Sequence, residues 1–387
     1  MVQPMQPFLH DLVTAFAAPT QVWSDRGGDV VSSTEGPGAS GVIHADVRVV
    51  SDLRLTVDGH SPEYLSSSTG PGTAEFSAVV RRVNVGLPAG ADPQLRLDRR
   101  RTVTPGMVTE EVCVSSRLAH PVCLTVELTI SSDFTAIEDI KTGSGSTPVA
   151  ISAAVDAERL TWRCGALSVT LEAEAAKWEM VDERRVIRLS WPITVPALGD
   201  SSVMLTLGIT DSGSAVVAAT TAPLLARALA AKSVTALSQV GVADLRLQPW
   251  LEQSLNDLNS LRMATVSAPD DTFFAAGAPW YFTLFGRDSL WTARLLLPLD
   301  VSHAGTTLRT LARLQGTVVN PDTAESPGKI MHELRRSRFT FGSVSLPPLY
   351  YGTIDATPLW VCLLHDAWRA DSILHWSPSC CLHSRRP

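Results

Sequence analysis

The chain has 387 residues, 45% of them hydrophobic and 18% charged, which is enough length and apolar material for two or three domains with substantial cores. Lys and Arg number 32 against 39 Asp and Glu, for a net charge of −7 and no basic run, so a nucleic-acid partner is not expected. No apolar run is long enough to span a bilayer, and no basic segment precedes an apolar core at the start, where the first basic residue is Arg26.

Residues 1–41 hold a short apolar piece from Phe8 to Phe16 and then Gly/Ser/Thr-rich sequence, and are expected to be weakly structured. From Val42 the pattern becomes short β segments, expected at 46–50, 53–57, 78–84, 101–108, 110–116, 122–130, 159–162, 167–172, 184–189 and 202–209. Several alternate apolar with polar, as in Leu53-Arg54-Leu55-Thr56-Val57, which buries one face of a strand. Asp58-Gly59 and Gly143-Ser144-Gly145-Ser146 supply turn chemistry. About ten strands without intervening helices predict an antiparallel β-sandwich over residues 42–212.

Near Ala222 the period changes. Residues 213–246 read as a helical linker, Ala/Leu-rich from Leu224 to Leu237. A helix over 245–263 follows, with Trp250, Leu251, Leu255, Leu258 and Leu261 on one stripe. Further helices are expected at 289–297, 306–315 and 356–370, making 247–370 an α domain. The segment from Gly316 to Tyr351 reads as a long loop, and loops of that size in compact domains are usually functional. The last residues, 371–387, abandon the helical pattern.

Six cysteines are scattered, at 113, 123, 164, 362, 380 and 381, with no zinc-like spacing. Cys113 and Cys123 lie on strand-like segments that could face each other across a hairpin, although buried free thiols are the favoured reading. The chain therefore reads as cytoplasmic, free of metal and without a cofactor.

Three segments carry candidate chemistry. Gly277-Ala278-Pro279-Trp280-Tyr281-Phe282-Thr283-Leu284-Phe285-Gly286-Arg287-Asp288-Ser289 sets an Arg-Asp pair beside aromatic residues at a loop-to-helix junction. Sugars suit that combination, because a ring face stacks on an aromatic such as Trp280 while hydroxyls need charged partners such as Arg287 and Asp288. The same pair also fits a plain helix start, with Asp288 or Ser289 as cap. Pro327-Gly328-Lys329-Ile330-Met331-His332-Glu333-Leu334-Arg335 reads either as a substrate-facing edge, with Glu333 accepting from hydroxyls, or as a solvated turn. Tyr350-Tyr351-Gly352-Thr353-Ile354-Asp355-Ala356-Thr357-Pro358 places Asp355 either as a helix N-cap or as a carboxylic acid in an apolar pocket, where burial raises its pKa as general acid catalysis requires.

These three segments, in this order, resemble the amylo-α-1,6-glucosidase family of bacterial glycogen-debranching proteins. The stretch from His44 to Gly59 resembles the opening of that family's N-terminal domain. The resemblance implies an N-terminal β-sandwich followed by an (α/α)6 barrel that hydrolyses α-glucosidic branch linkages of glycogen-like glucans. By the same resemblance Arg287 and Asp288 hold the terminal glucose, Glu333 borders its subsite, and Asp355 is the general acid. Twelve barrel helices need on the order of 300 residues, whereas about 140 follow Leu247. The expectation is thus a β-then-α multidomain chain with a partial barrel, truncated and weakly active or inactive, its general base missing. Two other readings remain open: a non-catalytic glucan-binding protein, and a related barrel glycosidase acting on trehalose or another oligosaccharide.

Overall fold

The computed structural model describes residues 9–32, 38–81, 92–143, 149, 151, 154–156, 159–183, 185–220, 224, 246–341 and 344–370. They fall into two compact units, Met1–Gly213 and Ser214–Pro387.

The first unit is built on three antiparallel sheets. In the eight-stranded sheet, Met107–Ser116 lies between Leu95–Thr104 and Asp200–Asp211, with Val112 opposite Arg99 on one side and Val203 on the other. In the five-stranded sheet, Val122–Ser131 lies between Asp52–Val57 and Val186–Val195. Alternate residues of both sheets enter one hydrophobic core: Val108, Val112, Val114, Leu205 and Leu207 from the first, and Leu53, Leu55, Val126, Leu128 and Ile130 from the second. Each such side chain contributes about 1.5–3 kcal/mol when fully buried, so a one-residue slip of any strand would forfeit its whole inward set. The alternation legible in the sequence is therefore the same pattern that fixes the register.

The start of the chain departs from expectation. Val13–Ala17 and Thr20–Ser24 pair with each other, Thr20–Ser24 pairs with Gly41–His44, and Val30–Val31 joins the five-stranded sheet. Thr20–Ser24 is buried along its whole length, with its polar groups satisfied inside. Thr20 Oγ1 lies 3.0 Å from His44 Nδ1, and Trp23 Nε1 donates to Gln21 Oε1 at 2.9 Å. Two exposed strands, Glu63–Gly70 and Lys177–Val181, are likewise additions. The helix α1 (Ile137–Thr142) ends on Gly143 in the left-handed conformation. Cys113 and Cys123 lie in different sheets and are free thiols, so they do not face each other across a hairpin.

Charge is also buried here. Glu110, fully inside, accepts from Arg99 Nε at 2.7 Å and from Arg101 Nε at 2.5 Å. Arg99 also reaches Asp29 at 2.8 Å, and Arg101 donates to the Gly28 carbonyl at 2.6 Å. Burial pushes the Glu110 carboxyl up, but the two guanidiniums outweigh it and hold the group below its ordinary value.

The second unit opens with a three-stranded sheet of Val216–Ala218, Arg262–Thr265 and Ala268–Phe274. This corrects both the helical reading of 213–246, which fails at Val216–Ala218, and the expected helix over 245–263. The helix α2 (Leu247–Ser260) stops before Arg262, and the buried run of Met263, Ala264, Phe273 and Phe274 is satisfied by strand pairing instead. The rest of the Leu224–Leu237 segment beyond Leu224, and residues 371–387, lie outside the described residues.

Helices α3 (Gly286–Leu295), α4 (Ser302–Arg313) and α5 (Ala356–Ala370) pack on one another, and α4 also backs onto Ala268–Phe274. Arg309 Nε donates to Asp271 Oδ1 at 2.8 Å, and Arg313 pairs with the other oxygen of that carboxylate. The segment 316–351 is partly ordered by two short hairpins, one of which pairs Glu333–Leu334 with Leu349–Tyr350. A mostly β first region followed by a few helices is thus the observed order. Among the described residues the second unit has four helices, and these do not by themselves define a barrel. No described helix is long and apolar enough to cross a membrane.

Candidate functional site

Main-chain bonds bring the three singled-out segments to one place in the second unit. The Gly286 N–H, at the start of α3, donates to the His332 carbonyl at 2.9 Å, and the His332 N–H donates to the Tyr350 carbonyl at 2.7 Å. Ile330 N–H donates to Thr357 Oγ1 at 3.0 Å, and Leu359 N–H closes the first turn of α5 on the Asp355 carbonyl at 3.0 Å. Gly286 is required by contact: a Cβ there would stand 2.2 Å from the Met331 carbonyl oxygen.

On this junction Arg287 lies between two carboxylates. Its Nη1 is 3.3 Å from Asp355 Oδ2, and its Nε is 3.9 Å from Asp288 Oδ2. All three side chains are partly open to solvent, at 48%, 39% and 36% for Arg287, Asp288 and Asp355. Pairs this exposed stabilise a fold by only about 0–1 kcal/mol, so the cluster is not explained by stability. Asp288 and Ser289 do not cap α3, which has no side-chain cap; Ser289 Oγ instead donates to the Phe274 carbonyl at 2.7 Å.

Asp355 is not a carboxylic acid in an apolar pocket. Thr353 Oγ1 donates to its Oδ1 at 2.5 Å, and this bond, aided by Arg287 and opposed by slight burial, holds the carboxyl below its ordinary value. The expected upward shift is therefore reversed, because solvent and two donors favour the charged form.

Glu333 and Trp280 do not join this cluster. The Glu333 side chain is buried and takes the Arg335 guanidinium at 3.1 Å, although its main chain bridges to Phe285. Trp280 is only 4% exposed and its Nε1 has no partner, so it is an interior residue and not an open wall. Its neighbour Tyr281 is the exposed aromatic, meeting Phe285 edge-on with centroids 5.5 Å apart. His332 lies edge-on to both Phe285 and Tyr350, with Nδ1 buried and unpartnered. Sequence reading passed over Tyr281, His332 and Thr353 as site members, although all three stand inside the motifs; the Thr-x-Asp spacing was the available signal for Thr353. Among the described residues no group of three or more His, Cys, Asp or Glu could hold a metal ion.

Residues 17–206, which lie within the first unit, match the family described as the N-terminal domain of (some) glycogen debranching enzymes. No curated protein sequence matches the chain. Among solved structures the chain is similar to a bacterial glucoamylase complexed with acarbose, at 12% identity and a TM-score of 0.47, over 94% of this chain and 56% of that one. It is also similar to a protein from the human microbiome assigned as a kojibiose phosphorylase, at 8% identity and a TM-score of 0.47, over 78% of this chain and 46% of that one. The chain thus spans about half the length of these two structures.

Proposed function

We propose that the chain serves a glycoside hydrolase of the glycogen-debranching type, acting on α-glucosidic branch linkages of glycogen-like glucans. The observation that carries this reading is the convergence of Arg287, Asp288 and Asp355 on one partly open junction, in a chain whose residues 17–206 match a debranching-type domain. Arg287 and Asp288 would hold hydroxyls of the terminal sugar, and Asp355 would protonate the glycosidic oxygen. For that step Asp355 must lose part of its present stabilisation. A sugar hydroxyl that takes over Arg287 while excluding water would raise the carboxyl toward the range in which it carries a proton. Activation of water is a separate task for a second carboxylate, and Glu333 is unsuited to it while Arg335 occupies its oxygen.

A non-catalytic glucan-binding role is the second reading, favoured by the same lowered Asp355 carboxyl. Glucose release from a branched limit dextrin separates the two. Release abolished by Asp355→Asn supports hydrolysis; dextrin binding without release, unchanged by Asp355→Asn but weakened by Arg287→Ala, supports binding alone. Neither release nor binding would refute both.

A further inference from the structure

The first unit has a cavity of about 580 Å³ that the cluster around Asp355 does not involve. Asp25, Asp29, Leu55, Tyr64, Phe76 and Leu97 are among the residues that line it. Its volume is in the range of small-ligand sites, and its wall combines carboxylates with apolar and aromatic surface. Asp29 is held from beneath: its Oδ1 accepts from Leu55 N–H at 3.0 Å and from Arg99 Nη1 at 2.8 Å. Phe76 is pinned by Arg101, whose guanidinium lies 5.3 Å from the ring centroid. Both arginines belong to the buried Glu110 network, so this side of the cavity is rigidly backed.

The chemistry of the occupant follows from how these charges are already used. Arg26 is paired with Asp11 at 3.0 Å. Asp25 Oδ1 accepts the Gly27 and Asp29 N–H groups, each at 2.8 Å. Asp29 has its guanidinium partner, and its burial keeps the carboxyl above its ordinary value. Asp11 and Asp29 thus have guanidinium partners, Asp25 is held by backbone N–H groups, and the described residues offer no metal-binding cluster. What remains are the second oxygens of Asp25 and Asp29, beside the half-exposed ring of Tyr64. Carboxylate lone pairs held in place by backbone and guanidinium donors accept from hydroxyls, and an exposed ring suits an apolar sugar face.

We propose that this cavity is a carbohydrate site of the first unit, taking one neutral sugar ring that stacks on Tyr64 and donates hydroxyls to Asp25 and Asp29. It is independent of the Asp355 reading, and either can fail without the other. The test titrates glucose into the full chain carrying Arg287→Ala and Asp355→Asn, followed by saturation-transfer NMR. Binding is expected to persist in that background. Tyr64→Ala should weaken it about tenfold, the equivalent of one lost stacking contact of about 1.4 kcal/mol. Ser61→Trp, a substitution at an exposed lining position, should abolish it. A variant that does not retain the parent's circular dichroism is set aside, and the other decides. Absence of glucose binding, binding unchanged by the folded variants, or tighter binding of putrescine than of glucose would overturn the proposal.

Discussion

Replacing Glu110 by Gln tests whether the buried ionic network carries the stability of the first unit. Gln keeps the volume but removes the charge and turns one acceptor oxygen into a donor, leaving Arg99 with Asp29 and Arg101 with only neutral acceptors, the Gly28 carbonyl and the amide oxygen. Arg101 thus becomes a fully buried guanidinium without a counter-ion, and breaking such a pair costs about 3–5 kcal/mol. For a unit of this size each kcal/mol lowers the melting temperature by about 2–4 °C, so a fall of about 6–20 °C is expected. Scanning calorimetry of the full chain reads this as a shift of one transition while that of the second unit stays in place. The double variant Arg101→Met/Glu110→Leu, which removes the stranded charge as well, should lose less than Glu110→Gln. Acid adds a third check. Glu110 is held below its ordinary value of 4.5, so its contribution is complete above that pH and is lost as pH falls through the lower folded value. Glu110→Gln should therefore flatten the acid side of the stability profile. A melting temperature within about 2 °C of the parent, or a double variant worse than the single, would refute the reasoning.

At the candidate site, Thr353→Ala, which removes the largest single cause, and Arg287→Ala should each raise the Asp355 carboxyl; carboxyl carbon NMR titration reads both shifts. Gly286→Ala should destabilise the second unit by about 1–3 kcal/mol through overpacking against Met331, visible in a urea melt. Burial pushes the Tyr351 phenol from 10.0 up to about 12, with Glu325 adding to the shift, so its contribution is present below pH 10.0 and lost as pH rises through about 12. Tyr351→Phe should remove this high-pH titration from the ultraviolet profile and cost about 0.5–1.5 kcal/mol for the lost bond to the Leu314 carbonyl.

What the sequence made legible followed from periodicity. Asp52–Val57 and Val122–Ser131 alternate, and their inward residues are the buried ones. The helix over 356–370 has the bounds its composition suggested. Thr20–Ser24 was missed because a strand buried on both faces shows no alternation, and its Thr20 and Ser24 hydroxyls find partners distant in sequence, His44 and the Val13 carbonyl. Glu63–Gly70 was missed for the opposite reason, since an exposed serine-rich edge has no apolar signal. At the site, the meeting of Arg287, Asp288 and Asp355 was anticipated from the motifs. The burial of Trp280 and the Glu333–Arg335 pair were not, because a residue type does not reveal which side of a loop faces the interior.

The junction around Gly286 has a consequence for how such a site can change over generations. Apart from the exposed Arg287–Asp355 pair, its three segments are tied mainly by carbonyl and amide groups, with the Thr283 and Thr357 hydroxyls as the side chains that join in. The scaffold is thereby largely indifferent to what Arg287, Asp288 and Asp355 are. Exposed positions on a frame specified by main chain can be exchanged at little cost in folding, so new specificities could be sampled here by point substitution. Gly286 is the exception: it is the position where the frame tolerates no side chain, and variation at the site has to proceed around it.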